Sequence, residues 1–183
     1  MEEIRIIAKG AGLLKIGPKA FKDFIAPFVK EKSYLAVQKV PTLAQERRWL
    51  QNLAKRADER KSLFVFLFSD GKLVGNCNAR IGEYAAERGN ASFGLAMSKP
   101  YRGKGWGEKL LRRAIREAKA RFKPHRLWIE HASGNTPARR LYQKVGFVEV
   151  GRLSEYHNHH GEWKDKILMQ YKPARKTNSS RKR

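Results

Sequence analysis

Apolar residues fall along this chain in two rhythms, one of period two and one near 3.6, and the switches between them divide it into elements. Leu63-Phe-Val-Phe-Leu-Phe68 is an unbroken apolar run that ends in Ser-Asp-Gly-Lys, a turn sequence, and Lys72–Ile81 completes an antiparallel hairpin. Asn90–Met97 reads as a further strand. Gly107–Phe122 then carries Leu110, Leu111, Ala114, Ile115, Ala118 and Phe122 as one helical stripe, with Lys109, Arg112, Arg113, Arg116 and Lys119 on the solvated side. Arg126–Ala132 alternates like a strand. Pro137–Val145 repeats Ala138, Leu141, Tyr142 and Val145 on one helical face, and Gly146 supplies the left-handed residue that ends it. Phe147–Leu153 and Lys166–Tyr171 make a closing pair of strands.

The first sixty residues are less regular. Residues 1–16 read as an irregular or extended lead-in, followed by a helix from Pro18 to Lys32 that Pro27 interrupts or ends. Thr42 is an N-cap signal for an amphipathic helix from Leu43 to about Arg60, with Glu46 as the partner inside its first turn. The order is helices, three antiparallel strands, helix, strand, helix, two strands. It predicts an α/β (α+β) domain with a mixed central sheet and helices on both faces.

Composition narrows the setting. With 183 residues and 41% hydrophobic positions the chain is long enough for one domain with a real core, placed at 1–172. Residues 173–183 are a basic tail, expected to be disordered. No apolar run approaches the ~20 residues of a membrane span, and the acidic start MEEIRIIAKG lacks the pattern of a secretory signal, so a cytoplasmic protein with no membrane partner is expected. Cys77 is the single cysteine, which excludes an internal disulfide and a Cys-pair metal site. Forty Lys and Arg against seventeen Asp and Glu give a net charge of +23, which predicts anionic partners. Nucleic acid or the ribosome through the basic surface is one reading; plain solubility is the other.

Candidate chemistry concentrates at Tyr101-Arg-Gly-Lys-Gly-Trp-Gly107, between a strand and a helix. Three alternate glycines where a helix begins leave amide N–H groups and the positive end of the helix dipole facing an anion. The spacing matches neither GxxxxGK[ST] nor G-x-G-x-x-G. Tyr156-His-Asn-His-His-Gly161 holds three imidazoles, yet no carboxylate or thiolate pattern completes a tetrahedral set. A polar turn beside an acceptor groove fits better, and no metal is expected.

Arg102-x-x-Gly105-x-Gly107 after a strand, followed by Asn135-x-x-Ala138-x-x-Leu141-Tyr142-x-x-x-Gly146-Phe147, resembles the paired signature of the GCN5-related N-acetyltransferases over about residues 60–172. Within that family, Leu127-Trp-Ile-Glu-His-Ala-Ser-Gly-Asn135 is similar to the ribosomal-protein alanine N-acetyltransferases, because Glu130, Asn135 and Tyr142 keep their intervals. His131 departs from the small apolar residue usual there, and residues 1–60 form a longer, variable acceptor-side start. The resemblance implies acetyl-CoA as cosubstrate. Leu95, Ala96 and Met97 would line its thioester end, while Arg102, Gly103, Lys104, Gly105, Trp106 and Gly107 clasp its pyrophosphate. Asn135 would cap the next helix or meet the pantetheine. Glu130 is then the general base, given burial that raises its pKa, and Tyr142 the general acid that also touches the cofactor.

Glu83, Tyr34 and Tyr156 are candidate acceptor contacts. The implied function is acetyl transfer to a primary amine through a ternary complex, on a protein amino terminus or lysine, by a monomer or homodimer. The alternatives are a small-molecule or polyamine acetyltransferase, or a basic nucleic-acid-binding module on the same fold.

Overall fold

A computed structural model describes residues 1–172; the basic tail expected at 173–183 lies outside the described residues. The chain forms strands β1 (Glu2–Ile7), β2 (Ser62–Ser69), β3 (Lys72–Ile81), β4 (Asn90–Met97), β5 (Arg126–Ala132), β6 (Phe147–His159) and β7 (Glu162–Tyr171). Its helices are α1 (Gly10–Ile16), α2 (Pro18–Lys30), α3 (Leu43–Asp58), α4 (Trp106–Phe122) and α5 (Thr136–Val145). All seven strands join one mixed sheet in the order β1-β2-β3-β4-β5-β7-β6, antiparallel except at β4–β5.

The sheet's two faces are packed by different helices. Leu63, Val65 and Leu67 of β2 meet Cys77, Phe93 and the stripe of α4 and α5. Phe64, Phe66 and Phe68 point the other way, onto Leu13, Phe21, Phe24, Phe28 and Leu50 of α1 to α3. Every residue of β2 is therefore buried, which is why its sequence lacks polar alternation.

The lead-in of residues 1–16 is only partly extended. Its first part is strand β1, paired along its length with β2, but α1 follows at once. Two glycines disguise that helix. A Cβ at Gly10 would stand 2.4 Å from Asp58 Oδ2 and 2.8 Å from Ala54 O, so the close approach of α1 to α3 requires glycine there. The Gly10 N–H donates to Asp58 Oδ1 at 2.8 Å.

Pro27 does not break α2; it sits in the last turn, where the helix ends within three residues regardless. The capping partner of Thr42 is Gln45 rather than Glu46: the Thr42 N–H donates to Gln45 Oε1 (2.8 Å) and the Gln45 N–H to Thr42 Oγ1 (3.2 Å). Glu46 turns inward instead. Its Oε2 is buried without a partner, and burial raises the carboxyl's pKa. The closing strands are also longer than their apolar pattern, because irregularities at Glu149/Gly151 and Leu153/His157 break the alternation.

One feature of the sheet positions the site. Strands β4 and β5 pair only from Asn90↔Arg126 to Phe93↔Ile129, although β4 continues to Met97 and β5 to Ala132. Beyond Phe93 the sheet is split.

Candidate active site

The split opens into a cleft of about 1150 Å³ that carries residues from both sides of the sheet. Its floor includes Leu95, Ala96 and Met97, whose backbone edge toward β5 has no strand partner past Phe93. An unpaired edge of this kind accepts an extended amide chain as an added strand.

At the end of β4 the chain turns through Lys99–Tyr101 into the glycine loop. Gly103 and Gly105 adopt φ +73° and +79°, and a Cβ on either would meet nothing within 4 Å. The first bond of α4 runs from the Lys109 N–H to Gly105 O (3.1 Å), leaving the amides of Trp106, Gly107 and Glu108 without a helical acceptor. Open space, left-handed glycines and unpaired N–H groups together make a concave anion cradle. Gly103, Gly105 and Gly107 line the cleft. Between them, the Lys104 ammonium lies 5.9 Å over the Tyr101 ring, and Trp106 packs on the core beneath the Lys109 ammonium.

Arg102 lines the cleft as well, but its guanidinium is already engaged. Nε donates to Met97 O at 2.7 Å, one terminal nitrogen donates to Glu31 Oε2 at 3.2 Å, and the other to Glu31 Oε1. It braces the loop against β4 and the end of α2. Main-chain amides are left to face an anion.

Glu130 and Tyr142 are brought to the same cleft with Asn135. The Tyr142 ring is 5% exposed, and burial, followed by the neighbouring Cys77 and Glu130, raises the phenol's pKa. Glu130 differs from expectation. Its side chain is 44% exposed and its Oε1 stands 3.2 Å from Lys166 Nζ, so the burial expected around it is absent. Asn135 caps α5, its Oδ1 accepting from the Ala138 N–H at 3.3 Å. His131 fills the space beneath Tyr142, with ring centroids 6.1 Å apart and its Nδ1 2.9 Å from Ala132 O. Its Nε2 is buried and unpartnered.

Tyr34 and Tyr156 line the cleft; Glu83 does not. Arg56 and Lys61 hold the Glu83 carboxylate at the far end of β3 instead. The histidine tract forms the tip of the β6–β7 hairpin, where His159 stacks on Tyr34 (4.8 Å, 15°) and the Gln38 amide donates to Asn158 O at 2.5 Å. The segment between α2 and α3 thus crosses to the hairpin and roofs one mouth of the cleft. Among the described residues no group of three metal-ligating side chains gathers. Lys166, Arg80 and Trp128 escaped the sequence reading because strand register brings them to the site, and Glu31 because it arrives from the end of α2 to meet Arg102.

Comparison with known proteins agrees with this geometry. A family model described as "Acetyltransferase (GNAT) family" matches residues 28–147. The "SPbeta prophage-derived uncharacterized N-acetyltransferase YokL" of Bacillus subtilis (strain 168) is 29% identical over 109 residues, 58% of each chain. The "Spermidine N(1)-acetyltransferase" of Vibrio cholerae serotype O1 is 30% identical over 42% of this chain and 44% of its own. The match thus spans less than two thirds of either curated relative. The crystal structure of "Ribosomal-protein-alanine N-acetyltransferase from Brucella melitensis" superposes with TM-score 0.76 at 24% identity, covering 92% of this chain and 98% of that one, and so shares the fold. With the split sheet, the glycine cradle and a family match across two thirds of its length, this chain belongs to the GNAT acetyltransferase family.

Proposed function

We propose that the chain is an acetyl-CoA-dependent N-acetyltransferase that moves acetyl directly to a primary amine of a protein, at an amino terminus or a lysine. The observation that carries the reading is convergence: the anion cradle, the unpaired edge of β4 and the Tyr142 phenol all face one cleft. The residues fit the cosubstrate. Amides around Gly103–Glu108 would hold its diphosphate, and the edge of Leu95–Met97 its amide arm. When bound, acetyl-CoA supplies an activated acyl group and a thiolate leaving group.

The chain's own residues manage protons and position. An attacking amine must be neutral, and a lysine-like ammonium with pKa about 10.4 is mostly protonated at neutral pH. The Glu130 carboxylate draws that ammonium toward the split in the sheet and accepts its proton, directly or through one water, as exposed groups can. Burial keeps Tyr142 protonated far beyond neutral pH, so its phenol holds a proton for the departing sulfur. Backbone N–H groups on the free edge of β4 are oriented before reaction and stabilise oxyanion charge without rearrangement.

The protein acceptor draws support from the Brucella melitensis neighbour, named for a ribosomal-protein alanine. The net charge of +23 adds to it by repelling free polycations. The test joins calorimetry to turnover. Acetyl-CoA should bind, and Tyr142→Phe should lower kcat about a hundredfold while leaving that affinity unchanged. Glu130→Gln should lower turnover, most at pH values where the acceptor amine is protonated. Wild-type turnover in both variants would remove the assigned roles, and no affinity for coenzyme A would remove the function.

A further inference from the structure

Three carboxylates line the cleft, and each already holds a basic side chain of this chain. Glu31 is paired with Arg102, Glu108 with Lys144 and Arg112, and Glu130 with Lys166. Arg80 is the opposite case. It lines the cleft with an exposed guanidinium whose Nε donates to Ser92 Oγ at 3.1 Å, and it has no carboxylate partner among the described residues. Lys32 and Lys99 line the cleft without a carboxylate partner among the described residues as well, but Lys99 belongs to the turn that enters the glycine loop and Lys32 to the segment after α2, whereas Arg80 stands on the sheet itself.

Register separates Arg80 from the cofactor cradle. It stands opposite Ser92, and Ser92 opposite Trp128. Met97, where the loop begins, is five residues further along β4, about 17 Å at 3.3–3.4 Å per residue. Glu130 is much nearer. Two strand spacings and a two-residue step put its Cα about 12 Å from that of Arg80. The two side chains share one face of the sheet, with Trp128 between them.

Resting on the acetyltransferase reading above, we infer that the acceptor is a peptide amino terminus followed within two residues by an acidic side chain, which Arg80 binds while the amine lies at Glu130. The spacing sets the distance. A free amino acid carries its carboxylate within about one residue length of its amine, whereas one or two extended residues at ~3.3–3.6 Å each, together with the acidic side chain and the reach of the Arg80 and Glu130 side chains, bridge the ~12 Å between the two Cα atoms. The charge pattern sets the sign. A polyamine would bring a second ammonium toward an unpaired guanidinium and find no free carboxylate to receive it, a like-charge juxtaposition that disfavours binding.

The test is a turnover panel with acetyl-CoA: peptides beginning Ala-Glu-Glu, Ala-Ala-Ala and Ala-Lys-Lys, free glutamate, and spermidine. Wild type should favour the acidic peptide over the neutral one by about tenfold in kcat/KM and over the lysine peptide by more. Arg80→Gln should level that preference and Arg80→Glu should invert it, both with unchanged acetyl-CoA affinity and melting temperature. Equal use of all three peptides, a preference for glutamate or spermidine, or an unaltered preference in Arg80→Glu would overturn the inference. Acetylation of every peptide regardless of charge defeats only this inference. Acetyl-CoA binding with no peptide acetylated defeats the protein-acceptor reading as well.

Discussion

Two hairpins in this fold turn on the same geometry and do opposite work. The β2–β3 turn has positive φ at Asp70 and Gly71, and the β6–β7 turn has it at His160 and Gly161, the signature of a type I′ connection that matches strand twist. Beyond the turns they diverge. The first hairpin lies mid-sheet, has one register shift, and buries all of β2 between two helical layers. The second lies at the sheet's edge, carries two irregularities, and exposes Leu153, Tyr156 and Trp163. One is a frame and the other a wall of the cleft. Location in the sheet, not turn chemistry, decides which.

The largest expected effect is in the frame. Phe66→Ala should destabilise by about 3–5 kcal/mol through lost burial and a residual cavity, read as a large fall in the urea midpoint. Trp163→Ala at the edge should stay within about 0.5 kcal/mol. A comparable loss at both positions would erase the contrast.

Next in size is a pH effect from two buried groups, Cys77 in the frame and Tyr142 on α5 in the same core cluster. Burial raises the pKa of Cys77 from its ordinary 9.0 and of Tyr142 from 10.0. The folded state keeps these protons after the unfolded chain has released them. Their contribution is therefore complete below about pH 9 and is lost as pH climbs above the ordinary values, at about 1.4 kcal/mol per pH unit per group. Denaturation of wild type and Cys77→Ala between pH 8 and 10.5 should give a visibly steeper decline for wild type. Parallel curves would contradict it.

The smallest effect concerns the wall. Tyr34→Ala removes the ring stacked on His159, an interaction of about 0.5–1.5 kcal/mol, and should raise KM for the acceptor severalfold with little change in melting. Burial lowers the pKa of His159, the main cause before the adjacent His160. The same variant should let it rise back toward 6.5, visible in a proton NMR titration. An unmoved resonance would mean that Tyr34 does not shield it.

Much of the frame was legible because its signals are local. The unbroken run at Leu63–Phe68, the 3.6-residue stripe of Leu110 to Phe122 and Gly146 after Val145 each state an element within ten or so residues. Helix α1 was hidden because Gly10 and Gly12 lower helix propensity, Gly10 for the sake of contact with α3, 40 residues and more away in sequence, and Gly12 for contact with Ile7 of β1. The strand ends beyond Leu153 were hidden by bulges. At the site, the glycine loop and Tyr142 were readable as motif positions. The exposure of Glu130, its pairing with Lys166 and the isolation of Arg80 were not, since each depends on which strands become neighbours across the split. Glu83 was misjudged for the same reason: its cations come from α3 and the start of β2.

Arg102 uses all three of its nitrogens, one on the carbonyl that ends β4 and two on Glu31 at the close of α2. A lysine at that position would preserve the charge and lose the fork, since one ammonium on a flexible stem cannot hold two elements at a fixed angle. The requirement at 102 is thus one of carpentry: the joint sets how far the glycine turn stands from the roof over the opposite mouth, and so fixes the width of the passage between them.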